Sequence, residues 1–156
     1  MLIQQTLLRK HILHKCDEYG ILVRTEHADF QEPYRKLLGF RRNLCGLEYD
    51  AARHVDALII IPDSPGSFIE LGMFSLIGQV CEKTLILFSN CFSSPDKQFN
   101  FVFLGPKLSY EERKAKIEFI DYQNTDLAWE RVYEFLHERR ALKWEQSVLN
   151  DLLLTE

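Results

Sequence analysis

Asp56-Ala57-Leu58-Ile59-Ile60-Ile61-Pro62-Asp63-Ser64-Pro65-Gly66-Ser67-Phe68-Ile69-Glu70-Leu71-Gly72 reads as a buried strand, a tight polar turn and the start of a helix. The unbroken apolar run from Leu58 to Ile61 suits a strand covered on both faces, as in a parallel α/β sheet. Pro62 closes the strand, and Ser64-Pro65-Gly66-Ser67 is dense in turn formers. Ser67 is the expected N-cap of the next helix. Glu70, three residues later, completes a Ser-x-x-Glu capping box and puts a carboxylate in the first turn. Open α/β sheets bind ligands just beyond the carboxyl ends of their strands, where this turn would lie. Gly66 would let backbone come close to a ligand there, and N–H groups at the helix start attract anions such as phosphate. Read as a capping device alone, the same serine and glutamate are structural and need no ligand.

The flanks extend the pattern. Leu7, Leu8, Ile12, Leu13 and Cys16 recur at helical spacing within Met1 to Tyr19, and Gly20 supplies a stop. Ile21 to Thr25 reads as a short strand, Glu26 to Pro33 as a loop, and Tyr34 to His54 as helical with breaks near Gly39 and Gly46. The helix after the turn is expected over Ser67 to Gln79, further strands over Lys83 to Ser89 and Lys116 to Tyr122, and a loop over Asn90 to Asn100. A helix over Asp126 to Arg140 carries Trp129, Val132, Tyr133 and Leu136 on one side, and Leu142 to Leu154 continues it. This order predicts one α/β domain over residues 1–156, a flavodoxin-like or Rossmann-like doubly wound parallel sheet with a C-terminal helical extension from about residue 126. The first strand of that topology, which would lie between the Ile21 and Leu58 strands, is missing from the pattern. Its unpaired neighbours must close up, borrow a strand, or pair Met1 to Thr6 in an unexpected way. Association is therefore expected through the open sheet and the C-terminal helices, with a second copy or a protein partner.

The formal net charge of −4 gives no general electrostatic footprint for nucleic acid. Cys16, Cys45, Cys81 and Cys91 form no Cys-x-x-Cys pairing and read as reduced thiols of a cytoplasmic protein. No signal peptide and no apolar stretch of membrane-spanning length is present, so no membrane contact is expected. His11 and His14 lie three apart without further ligands nearby in the sequence, so neither a metal nor a cofactor is expected. Glu26 and Asp29 follow the Ile21 strand and could meet a ribose hydroxyl, or simply line a solvated loop. Glu48 could reach the mouth of a pocket or be a solvated helix charge. Arg41 and Arg42, and the run Glu138-Arg139-Arg140 with Lys143, read most simply as exposed helix faces.

The turn also resembles known families. Pro62-x-x-x-Gly66-Ser67-x-x-Glu70 is similar to the signature of the lysine-decarboxylase-like nucleotide phosphoribohydrolases. Asp56 through Gly72 and on to Lys83-Thr84-Leu85-Ile86 resembles the nucleoside 2-deoxyribosyltransferases. Ser64-Pro65-Gly66-Ser67-Phe68-x-Glu70-Leu71-Gly72-x-Phe74, with Phe103-Leu104-Gly105-Pro106 later, is closest to the deoxyribosyltransferase-like effectors of bacterial retron anti-phage systems. That resemblance implies cleavage or exchange of the N-glycosidic bond of a nucleoside, nucleotide or dinucleotide. It implies Glu70 as the carboxylate acting at the anomeric carbon. Asp63 would contact the base or a sugar hydroxyl, or act as general acid. Ser64, Gly66 and Ser67 would hold sugar or phosphate oxygens. Glu48 falls where related effectors also carry an acidic residue. Nucleic acid would be met only indirectly, through a defence complex. Asp63 and Ser64 depart from the paired glycines of the phosphoribohydrolase signature, and relatives begin with a strand that is not found here. A non-catalytic nucleotide-binding or assembly subunit is the alternative reading.

Overall fold

The computed structural model describes residues 2–23, 44–94, 96 and 100–153. Helix α1 (Leu2–Glu18) is followed by α2 (Leu44–His54), strand β1 (Leu58–Ile60), α3 (Pro65–Phe74), the short α4 (Gly78–Cys81) and strand β2 (Thr84–Ser89). A 3-10 turn (Asn90–Phe92), a π-helical segment (Phe103–Lys107), α5 (Leu108–Glu112), strand β3 (Lys116–Ile120) and α6 (Thr125–Leu153) complete the order. The strands form a parallel sheet in the order β1-β2-β3, with Ile59 opposite Leu85 and Phe88 opposite Phe119. Helices cover both faces, and the architecture is a Rossmann-like α/β sheet.

Alternation along β2 explains the two layers, because successive side chains point to opposite faces. Leu85 and Leu87 join Ile59, Ile61 and Ile120 beneath Leu8, Ile12 and Cys16 of α1 and Ala128, Trp129, Val132 and Phe135 of α6. Ile86 and Phe88 join Ile60, Ile117 and Phe119 beneath Ala52 of α2, Leu71 and Phe74 of α3, Val80, Cys81, Phe103 and Tyr110. Cys16 and Cys81 are buried free thiols whose titration burial pushes upward, which suits packing rather than reactivity; Cys91 is free and exposed. No helix among the described residues is long and apolar enough to cross a membrane.

Several local expectations change. Helix α3 starts at Pro65 with Ser64 as its N-cap, not at Ser67. Proline has no N–H to leave unpaired and its fixed φ suits the first helical position, so the cap moves one residue ahead of it. The helix also stops at Phe74, where the Ser75 N–H bonds back to Leu71, and α4 forms separately. Helix α2 runs through Gly46 without a break. Ile21 to Val23, the described part of the strand expected over Ile21 to Thr25, is not paired into the sheet. Gly20 at φ +65° turns the chain out of α1, Ile21 folds onto the core, and Leu22 is left almost fully exposed. Among the described residues no strand precedes β1. The helical structure between Phe103 and Glu112 had no clear periodic signal in the sequence.

The 29-residue α6 extends about 43 Å. Its first half packs on α1 and the sheet, whereas from Arg140 to Asp151 every residue is exposed, Leu142, Trp144, Val148 and Leu149 included, and Lys143 ties this part to Asp56 at 2.7 Å. The contrast sets a stability test. Leu87→Ala, at the fully buried centre of β2, is expected to lower unfolding stability by about 2–5 kcal/mol in urea titrations. Leu149→Ala on exposed α6 should stay within roughly 0.5 kcal/mol of the parent.

Candidate functional site

Beyond the carboxyl end of β1, the chain is tied into a knot by two serines. Ser67 Oγ accepts the N–H groups of Asp63 and Ser64, each at 2.9 Å, and donates toward the Ser64 carbonyl at 2.9 Å. Ser64 Oγ in turn accepts the Ser67 N–H at 3.3 Å and lies 3.1 Å from Ser67 Oγ. The capping box is therefore Ser64 with Ser67, the N-cap and the third residue of α3, and Ser67 is almost fully buried. One consequence is that most helix-start donors are taken. Pro65 has none, Ser67 N–H is capped, and Phe68 N–H bonds the Ser64 carbonyl at 3.1 Å. The Gly66 N–H is the donor of that turn without an acceptor among the described residues, and Gly66 is exposed. A Cβ built there would meet only Ser64 Oγ, at 3.9 Å, so the fold itself does not require glycine.

Asp63 leaves the strand with its side chain only 5% exposed. Its Oδ1 accepts from Arg9 Nη2 at 2.9 Å and lies 3.3 Å from Ser67 Oγ. The same Arg9 nitrogen also donates to the Ile61 carbonyl at 3.2 Å. Behind this group, Tyr122 donates its buried hydroxyl to the Leu87 carbonyl at 2.8 Å. Burial, reinforced by the nearby Asp63 charge, pushes the Tyr122 phenol well above its ordinary range.

Glu70 lies one turn beyond Ser67 on α3, half-buried, rather than in the first turn where the Ser67 cap would have put it. It is one of the charges acting on Tyr110, whose phenol is raised by burial first, then by Cys81 and Glu70. The Tyr110 hydroxyl is buried and has no hydrogen-bond partner among the described residues. An apolar wall stands at the carboxyl end of β2, where half-buried Phe92 meets Phe68 edge-on at 6.1 Å and Phe88 at 6.2 Å. Glu48 is half-buried on α2, which packs on α4, and the bonds that knit the turn are made without it. Glu26 lies outside the described residues, as do Asp29, Arg41 and Arg42. Among the described residues no His, Cys, Asp and Glu group is arranged to hold a metal ion.

The turn thus brings Asp63, Ser64, Gly66 and Ser67 together, with Glu70 next along α3. Arg9 and the Phe68–Phe92 wall were missed by sequence reasoning. The only sequence signal for Arg9 is a cation at helical spacing from Ile12 and Cys16, on the apolar side of α1.

A family profile described as STM3845 retron effector protein matches residues 6–151, taking in most of α1, the turn and most of α6. The chain belongs to the STM3845 retron effector protein family. No curated protein matches the chain. Membership links this effector to anti-phage defence and fits a role within a defence complex.

Two substitutions separate the knot from what it faces. Ser64→Ala removes the cap and is expected to cost about 1 kcal/mol, read as a fall in melting temperature of roughly 2–4 °C. Gly66→Ala should leave the melting temperature unchanged or slightly higher. A loss of nucleotide-dependent stabilisation in Gly66→Ala alone would then report ligand approach at that backbone position.

Proposed function

We propose that this retron effector hydrolyses the N-glycosidic bond of a nucleotide, nucleoside or dinucleotide, with Glu70 as the carboxylate at the anomeric carbon. The observation that carries the reading is the placement of the Asp63–Glu70 turn at the carboxyl edge of a parallel sheet, where such folds take their ligands. The deoxyribosyltransferase-like pattern of the same turn supports it. In the reaction, the bond from C1′ to the base nitrogen breaks and its electron pair leaves with the base. Positive charge develops on C1′ and the ring oxygen, and a carboxylate beside it lowers the barrier by attack or by charge stabilisation. Water then supplies hydroxide to C1′, and its remaining proton balances the departing base. Asp63 is assigned to a sugar hydroxyl or the base, Ser64, Gly66 and Ser67 to sugar or phosphate oxygens, and the Phe68–Phe92 wall offers an apolar surface for a base.

Incubating the parent and Glu70→Gln with pooled nucleosides, nucleotides and dinucleotides, and detecting free base by mass spectrometry, tests this. Base release by the parent is expected to fall by about a hundredfold or more in Glu70→Gln. Equal release by the two proteins would overturn the assignment.

The exposed apolar residues of outer α6 favour a second reading, in which the chain is a non-catalytic assembly subunit that associates through this helix. That reading predicts nucleotide binding without turnover. It also predicts concentration-dependent association in sedimentation equilibrium that Trp144→Ser weakens; a monomer at every concentration would remove self-association through α6.

A further inference from the structure

We propose that Arg9 is a positioning residue of the candidate site. It clamps one oxygen of Asp63 so that the other is presented to the ligand. The inference rests on the proposed function only for what the ligand is.

The geometry is specific. Arg9 stands on α1 next to fully buried Leu8, and α1 is pinned to the sheet by Leu8, Ile12 and Cys16. Both protons of Nη2 are spent across the fold, one on the Ile61 carbonyl at 3.2 Å and one on Asp63 Oδ1 at 2.9 Å. Ile61 lies one residue past β1, so its carbonyl is outside the strand ladder and would otherwise need water. Ser67 Oγ, 3.3 Å away on the α3 side, adds a second neighbour to the same Oδ1. The third group facing Asp63, the Tyr122 phenol, has its proton committed to the Leu87 carbonyl at 2.8 Å. Each of these three groups therefore either holds Oδ1 or is engaged elsewhere. Oδ2 is left without a protein partner among the described residues.

A planar guanidinium suits this task because its donors are fixed relative to one another. A lysine ammonium supplies the charge without that fork. Arg9 is itself 42% exposed, so its loss opens no large cavity; what is lost is the aim of the carboxylate.

The test is a double-mutant cycle on the full chain, with Arg9→Gln, Asp63→Asn and both together, and Arg9→Lys alongside. Base release and thermal melting are measured for each. Arg9→Gln is expected to lower kcat roughly ten- to a hundredfold through misplacement of Asp63, with KM moving less than about threefold. Arg9→Lys should recover part of that loss. In the Asp63→Asn background, the Arg9→Gln change should cost less than about twofold, because there is no longer a carboxylate to aim. An Arg9→Gln loss of the same size with or without the Asp63 carboxylate, or a rise in KM alone, would overturn the inference.

If the parent releases no base from any substrate, the glycosidase reading fails by itself and melting decides the clamp. Melting-temperature losses of Arg9→Gln and Asp63→Asn that fall short of additivity by about 2–4 °C support it. Additive losses overturn it.

Discussion

Burial of β2 on both faces is the constraint from which the remaining structure follows. From Thr84 to Phe88 the strand is enclosed, so each face needs its own layer of helices and each edge needs a hydrogen-bonded neighbour. The layers divide cleanly, with α1 and α6 on the Leu85 and Leu87 side and α2 to α5 with the π-helical segment on the Ile86 and Phe88 side. Parallel pairing with β1 and β3 then brings the carboxyl ends of all three strands to one edge. The polar residues Asp63, Ser64, Ser67 and Tyr122 gather there because that edge is where strands stop and backbone groups leave the ladder.

The turn after β1 solves that local problem with side chains. Ser64 and Ser67 satisfy each other and the N–H groups of Asp63 and Ser64, while Arg9 takes up the Ile61 carbonyl. The result is a turn held by its own side chains, which is what a site must offer if its groups are to act without reorganising. It also narrows how an anion could bind. A helix start with every N–H open would be a general phosphate cradle, whereas here the capping box leaves Gly66 as the open donor of the first turn. At the proposed site, specificity would then fall more heavily on the surrounding side chains, Asp63 and Glu70 above all.

Helix α6 does two things along one axis. Trp129, Val132 and Phe135 complete the core over the sheet, and the remaining turns project from it with Leu142, Trp144, Val148 and Leu149 uncovered. An isolated helix of that length is marginal in water, but this one is nucleated by a packed first half. The assembly reading proposed above would place a partner of the retron effector on this projection.

Short-range patterns were enough to read β1, β2 and β3, the helices at both ends and the polar turn, because apolar runs, alternation and helical spacing are properties of neighbouring residues. The same patterns marked Ser64, Gly66, Ser67 and Glu70, and the family resemblance added Asp63. They misplaced the cap at Ser67, since Ser-x-x-Glu and Ser-Pro-x-Ser both offer a box and only Pro65 at the first helical position settles which one forms. They also put a strand at Ile21, where branched residues fit a strand but have no neighbouring strand among the described residues to pair with. The join between Arg9 and Asp63 was decided by tertiary structure alone. The two residues are 54 apart in sequence, and only the packing of α1 across the end of β1 brings a cation to that carboxylate.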